Sequence, residues 1–291
     1  MKIKFLGTSA AHSLPLPFCN CNYCKKTREL GGKNYRKRSS ILINDDLIID
    51  IGPDFMTASF MHNVDTSKVR YWLQTHSHSD HFSAEHIITR MPEYAVENIE
   101  PLFLYASQKC IHNISKKLNV EEFGANLFEK DWLKKLSLNV NSVKHFEKII
   151  FDSYSITAFD ANHDNNDGSS IYLVADNSCK LFYALDTNGL TEETINYLYK
   201  EKVCLDIIVL DHTYGYNVNA NDHLNANKFI ETINTMKNKK IINQNTKVYA
   251  SHISHEGNLL HDEFVNFAKE HRYNVAYDGL EIEIVLKDNR T

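Results

Sequence analysis

The chain of 291 residues is poor in the residues that break regular structure, with 5 Pro and 10 Gly. No Pro/Gly/Ser-rich linker, composition break or short-period repeat divides it, so one compact domain over residues 1–291 is expected. An excess of basic charge is also missing: 32 Lys and Arg stand against 37 Asp and Glu, a formal charge of −5. That balance argues against holding a long polyanion along an extended basic face, although it leaves room for a local cationic pocket. Long apolar runs are absent as well. No segment approaches the roughly 20 apolar residues of a membrane span, and Met1 to Gly7 has no apolar stretch of signal-peptide length. A soluble, cytoplasmic protein with no membrane partner is expected. The 43% hydrophobic and 24% charged content excludes a disordered or collagen-like chain.

Against these absences stand 15 His and 6 Cys. In a reducing compartment, closely set cysteines are metal ligands more often than disulfide partners, and Cys19, Cys21 and Cys24 are closely set. Cys110, Cys179 and Cys204 are scattered and read as small buried residues.

Short β-branched runs alternate with helical patterns. Lys2 to Leu6, Ser40 to Asn44, Leu47 to Asp50, Val69 to Thr75 and Leu102 to Tyr105 read as strands, as do Ile156 to Phe159, Ser170 to Ala175, Lys180 to Leu185, Ile207 to Leu210 and Lys247 to Ala250. Asn274 to Ala276 and Glu281 to Leu286 form a closing pair. Helices are expected after Pro53, from about Ser83, and near Thr191, Asp222 and Leu259. The irregular stretch from Asn113 to Lys148 reads as an elaboration on this core. Both halves have the pattern of a sheet with helices, which suits two sheets packed face to face and covered by helices.

The strand that ends at Thr75 runs into His76-Ser77-His78-Ser79-Asp80-His81, four metal-competent side chains within six residues. His76 and His78 alternate by two, so an extended segment points them the same way, and a turn at Ser79 brings Asp80 and His81 toward a second point nearby. Imidazole and carboxylate suit Zn, Fe or Mn. A solvated loop explains one histidine but not this spacing with partners elsewhere. Those partners each follow a strand: His163 in Asn162-His163-Asp164, Asp186, and His252. Functional groups gathered on loops at strand ends are what a metal-centred site requires.

His-x-His-x-Asp-His followed by a lone His, a lone Asp and a C-terminal His resembles the metallo-β-lactamase superfamily, with the ligand order matching along the whole chain. The resemblance implies an α/β fold, a four-layer αββα sandwich with two divalent ions, Zn or Mn, at its rim. By it, His76, His78 and His163 hold one ion, Asp80, His81 and His252 hold the other, and Asp186 bridges them. Two such ions lower the pKa of a shared water and clamp the attacked group, so a hydrolase is implied.

A tetrahedral structural zinc on Cys19, Cys21 and Cys24 needs a fourth ligand, and His255, three residues after His252, is the candidate. This Cys-x-Cys-x-x-Cys and His set resembles the phosphonate-pathway cyclic phosphodiesterases within the superfamily. The match extends over Gly7-Thr8-Ser9, Arg36 to Ser40, Asp50-Ile-Gly52 and Asp211-His-Thr-Tyr214. Relatives involved in pyrroloquinoline quinone synthesis share the cysteine loop but lack an intact catalytic His motif, which here is intact. The group implies a further histidine acting as general acid; His223 matches that position, and His212 ranks below it because it directly follows the strand acid Asp211.

The resemblance thus implies a small cyclic or linear phosphodiester as substrate, with Asp80 and His223 as catalytic residues. Arg36, Lys37 and Arg38 form the one basic cluster near the cysteine loop, either a charge partner for the phosphate or a solvated turn. The alternatives are a tRNA 3′ processing endonuclease, disfavoured by the −5 charge and the lack of a Gly- and basic-rich arm, a thioester or lactone hydrolase, and a non-catalytic zinc-binding accessory protein. A homodimer is left open. One departure stands out: Asp186 is followed by Thr187-Asn188-Gly189, whereas many relatives place Gly two residues after the Asp.

Overall fold

Within each central strand, alternate residues enter different cores, and this period of two decides the layering. The computed structural model describes residues 1–95, 97, 99–119 and 124–284. One seven-stranded sheet has the order β14 (Glu281–Glu283), β1 (Lys2–Gly7), β2 (Ser40–Ile43), β3 (Leu47–Ile49), β4 (Tyr71–Leu73), β5 (Leu102–Ala106), β6 (Leu138–Ser142). The other runs β13 (Asn274–Val275), β12 (Lys247–Ser251), β11 (Ile207–Asp211), β10 (Lys180–Ala184), β9 (Ser170–Ala175), β8 (Tyr154–Asp160), β7 (Lys148–Phe151). Ile3, Phe5, Ile41, Ile43, Tyr71 and Leu73 face Leu181, Tyr183, Ile207 and Val209 in a core between the sheets. The residues between them point outward: Leu42, Ile48 and Trp72 pack under α2 (Phe55–Met61) and α4 (Gln108–Leu118). Phe182, Ile208 and Leu210 pack under α6 (Glu192–Lys200), α7 (Ala226–Asn238) and α8 (His261–Glu270). Each such side chain contributes roughly 1.5–3 kcal/mol of burial. The result is the αββα sandwich, and no helix among the described residues is long and apolar enough to cross a membrane.

Several expected elements differ in extent. The strand expected from Val69 to Thr75 pairs only over Tyr71–Leu73, and the helix expected from Ser83 is one turn, α3 (Glu85–Ile88). The helix expected near Asp222 starts at Ala226, with Asn225 capping it through a bond from the Lys228 amide. Residues 285–286 of the last expected strand lie outside the described residues. The stretch from Asn113 to Lys148 is not an elaboration. It supplies the end of α4, then α5 (Lys130–Lys135) and the edge strand β6, and buries Ile114, Leu118, Leu127, Leu136 and Leu138 in the first sheet's outer core. Asn139 and Asn141 conceal β6 in the sequence, because an edge strand tolerates polar side chains. A helix inside the cysteine region, α1 (Asn22–Leu30), also lacks an apolar stripe, since only Cys24 and Thr27 are buried on it.

The basic cluster is neither a solvated turn nor a free cation. Arg36 is buried and its guanidinium donates to Thr8 Oγ1 at 2.7 Å and the Ala276 carbonyl at 2.6 Å, while Thr8 Oγ1 donates to Asp278 Oδ1 at 2.8 Å. Lys37 pairs with Asp278 at 3.5 Å, and Arg38 with Asp54 at 3.1 Å. Burial lowers the Arg36 pKa, and it pushes Asp278 up to about 6 against the Lys37 contacts. Removing one member of such a group leaves a buried charge unsatisfied. Arg36→Met should therefore lower the unfolding free energy by about 3 kcal/mol or more, whereas Arg38→Met, in a part-exposed pair, should cost under about 1 kcal/mol. Denaturant midpoints for the two variants check this, and equal small shifts would contradict it.

Candidate metal centre

The residues singled out in the sequence lie on loops at the ends of β4, β8, β10, β11 and β12, where the two sheets meet. Four strand-end residues adopt left-handed backbone: Asp50 (φ 63°), Asn162 (52°), Asp186 (51°) and His252 (59°). Each costs of order 1 kcal/mol or more, which surrounding structure must hold. Gly52 answers another constraint. A Cβ there would stand 2.0 Å from the Asp80 carbonyl, so only glycine lets the Asp50-Ile-Gly52 turn pass beneath the His loop.

The structure brings His76, His78 and His163 into one group and Asp80, His81, Asp186 and His252 into another. Asp186 divides its oxygens between them. Its Oδ1 lies 3.8 Å from both His76 Nε2 and His163 Nε2, while Oδ2 lies 3.0 Å from His81 Nε2 and 3.1 Å from His252 Nε2. Asp80 Oδ2 is 3.2 Å from His81 Nε2 and 3.9 Å from His252 Nε2. Two nitrogens bound tetrahedrally to one Zn at about 2.05 Å stand about 3.3 Å apart, so these spacings suit ions. His78 is the outermost member, with Nε2 3.3 Å from Asp164 Oδ2.

The protons on these rings can be placed. His81 Nδ1 faces Asp50 Oδ2 at 2.7 Å and His163 Nδ1 faces the Asp222 carbonyl at 3.3 Å; both partners only accept, so each Nδ1 carries the proton. Thr75 Oγ1 donates to Asp50, and Thr213 Oγ1 donates to Asp211 Oδ1. Their hydroxyl protons being spent, they accept from His76 Nδ1 at 2.9 Å and His252 Nδ1 at 2.7 Å. In all four rings Nε2 is therefore the atom left for a ligand, and all four Nε2 atoms face Asp186. The four Nε2 atoms and Asp186 Oδ2 are buried with no hydrogen-bond partner, an arrangement that divalent cations would satisfy.

Of the Thr and Asp partners the sequence singled out only Asp211, as a strand acid beside the site; Thr75, Thr213 and Asp50 were given no role, and nothing in the sequence pointed to the clamp on Ser77. The Ser77 amide and hydroxyl donate to Asp167, which also accepts from Asn113, while Lys117 of α4 donates to the Ser77 carbonyl. These partners come from segments 36 to 90 residues away in sequence.

His223 stands at the same rim. Its ring lies between those of His163 (4.8 Å) and His252 (5.1 Å), and its Nδ1 bonds Asp211 Oδ2 at 2.8 Å, which leaves Nε2 free; a ring nitrogen of His223 lies within 4.8 Å of ligand atoms of His163 and Asp186. Burial opposes its charge, but the Asp211 carboxylate prevails and raises it to about 9. His212 points the other way, into the core against Phe229 and Phe264, and burial pushes it down to about 4.

At the second cluster, His255 Nδ1 lies 3.8, 3.4 and 3.6 Å from the sulfurs of Cys19, Cys21 and Cys24. Sulfur and nitrogen sharing one tetrahedral Zn stand about 3.5 Å apart. Burial works against the Cys21 thiolate, but the Cys24 amide and His255 bring it down to about 6, whereas burial pushes Cys24 up to about 11. Three adjacent thiolates cannot coexist without a cation, so this donor set also fits a metal. After Asp186 the turn is closed by Thr187, whose Oγ1 accepts from the Gly189 amide at 3.0 Å and donates to the Gly189 carbonyl at 3.0 Å.

No curated protein matches this chain in sequence. Among solved structures, it resembles a diphosphatase from the PhnP family (20% identity, 98% of each chain covered, TM-score 0.70). It also resembles Zn(2+)-bound PqqB from Methylobacterium extorquens (16%, covering 98% of this chain and 100% of that one, TM-score 0.74) and the short form of human tRNase Z (14%, 98% and 100%, TM-score 0.63). At these identities the likeness establishes the metallo-β-lactamase fold. The family model of the anti-Pycsar protein Apyc1 matches residues 32–273. The chain therefore belongs to the family of the anti-Pycsar protein Apyc1.

Proposed function

We propose that this protein is a metal-dependent hydrolase of small phosphodiesters, cyclic ones included. One observation carries the reading: four imidazole Nε2 atoms without hydrogen-bond partners converge on the Asp186 carboxylate, with each of their Nδ1 atoms engaged elsewhere. His76, His78 and His163 would hold one divalent ion, Zn or Mn, and Asp80, His81 and His252 the other, with Asp186 between them. Such a pair supplies a nucleophile from water near neutral pH and offsets charge on the attacked phosphate. Cys19, Cys21, Cys24 and His255 would hold one structural zinc.

The protein's own part lies in positioning and proton transfer. Asp80 would help to hold and orient its ion, while Asp50 and Asp211 fix imidazoles through Thr75 and Thr213. His223, protonated through Asp211, can donate from Nε2 to a leaving oxygen at the rim. That acid favours an oxygen ester over a thioester, because a thiolate leaves without a proton and an alkoxide does not. With Arg36, Lys37 and Arg38 all engaged elsewhere, charge compensation at the phosphate falls to the ions and His223. The family's name suggests a role in countering Pycsar, for which a small phosphodiester is a suitable target.

Metal-loaded protein should cleave bis(p-nitrophenyl) phosphate and members of a panel of cyclic nucleotides and ribose cyclic phosphates, with about three metal equivalents per chain. Hydrolysis confined to thioesters, or to pre-tRNA in a salt-sensitive manner, would overturn the substrate class. About one equivalent and no turnover would identify a zinc-binding accessory protein. Asp80→Ala should abolish hydrolysis while unfolding stays cooperative.

Cys21→Ser should lose the structural equivalent and melt at lower temperature, since such zinc contributes roughly 10 kcal/mol of apparent binding energy in small peptides. An unchanged melting curve would contradict a structural zinc there.

The acid must carry its proton, so kcat should fall as pH rises through the His223 pKa. Asp211 raises that value to about 9 without ions, and two cations nearby press it lower. Asp211→Asn removes the raising charge and should move the alkaline limb to lower pH. A limb that stays in place in Asp211→Asn, with His223→Gln as fast as the parent, would remove His223 from proton transfer.

A further inference from the structure

The loop from His76 to His81 contributes to both ion groups, His76 and His78 to one and Asp80 and His81 to the other. Its two halves meet at a turn where the His78 carbonyl accepts from the amides of His81 (3.0 Å) and Phe82 (2.9 Å). Directly inside that turn lies Gln74, which is fully buried. Its side-chain Nε2 donates to the His76 carbonyl at 2.6 Å and to the His81 carbonyl at 3.0 Å.

A side-chain amide has two N–H donors, and both are spent on the backbone of this loop. The amide's orientation is fixed by Trp72, whose indole only donates and bonds Gln74 Oε1 at 2.8 Å. The backbone of Gln74 is tied to both sheets: its amide donates to the Tyr105 carbonyl at 3.0 Å, and its carbonyl accepts from the Tyr172 hydroxyl at 2.8 Å. An apolar side chain of equal length would fill the space yet strand two carbonyls and an indole N–H, so packing does not account for glutamine here.

We propose that Gln74 is a positioning residue that sets the separation of the two ion groups, by holding the backbone of one histidine from each on a single amide. The proposal rests on the two-ion reading above. It concerns a residue that touches neither substrate nor metal, so its signature is the geometry of the pair rather than activity alone.

The test uses Mn(II) alone, added to full-length protein stripped of metal at the catalytic site. The parent should show the electron paramagnetic resonance spectrum of an exchange-coupled Mn(II) pair. Gln74→Met should weaken or abolish that coupling and loosen the second Mn(II) at least tenfold in calorimetric titration. Trp72→Phe removes the donor to Oε1 and part of a buried ring but leaves both Nε2 donors on the two loop carbonyls, which still hold the amide; it should keep the coupling and serves as the packing control.

A parent without a coupled pair would defeat the two-ion reading. A coupled parent alongside a Gln74→Met protein with the same spectrum and Mn(II) affinity would overturn the role of Gln74, even if the variant melts lower, because lower melting is all that a merely structural residue would produce. Should Gln74→Met not fold, Gln74→Glu carries the test with the same readings. It keeps length and the acceptor for Trp72 but gives up at least one of the two donors, so normal coupling in it would equally overturn the proposal.

Discussion

The buried carboxylate of Asp186 is the constraint on which the site depends. Its Oδ2 is buried without a hydrogen-bond partner although His81 and His252 Nε2 stand about 3 Å away, and the Nδ1 atoms of both rings are engaged elsewhere. A buried negative charge is unfavourable unless positive charge lies beside it. Divalent ions would supply that charge, and the neighbouring structure engages each Nδ1 so that Nε2 faces Asp186. Asp50 and Asp211 are each buried at a strand end, and each fixes a threonine whose hydroxyl in turn fixes a histidine.

The sandwich makes this constraint bearable. The strained residues Asp50 and His252 directly follow β3 and β12, and Asp186 stands two residues past β10; the apolar side chains of these strands fill the cores on both faces of each sheet. Rigid strands deliver the ligands, and loops of only a few residues remain to be ordered. The cysteine cluster extends the same scheme, since His255 stands three residues after His252 and the intervening Ile253 accepts from Ser9 and donates to the Thr8 carbonyl. The buried group of Arg36, Thr8 and Asp278 joins that N-terminal segment to the loop after β13.

Much of the site was legible because ligand chemistry restricts residue type. Few arrangements other than a metal centre place His76, His78, Asp80 and His81 within six residues at a strand end, and Cys19, Cys21 and Cys24 restrict it in a similar way. Period-two patterning located most strands to within two residues. It failed at the two edge strands β6, where Asn139 and Asn141 stand, and β7, which has no buried residue, while α1 buries too little to show a stripe. The Arg36 cluster misled for a related reason. Three consecutive basic residues look solvated, and only the fold shows that Arg36 turns inward toward Thr8 and Ala276.

The sequence by itself determined which side chains are available to bind metal, their order, and the alternating pattern that builds two sheets, since these depend on residue type and local spacing. Only the tertiary structure decided which nitrogen of each imidazole is free, how Asp186 divides its two oxygens, that His223 and not His212 reaches the rim, and that Gln74 joins both halves of the His loop. Those are matters of direction at ångström scale. They are set by partners such as Thr213 for His252 and Asp167 for Ser77, which lie tens of residues away and meet only when both sheets have closed.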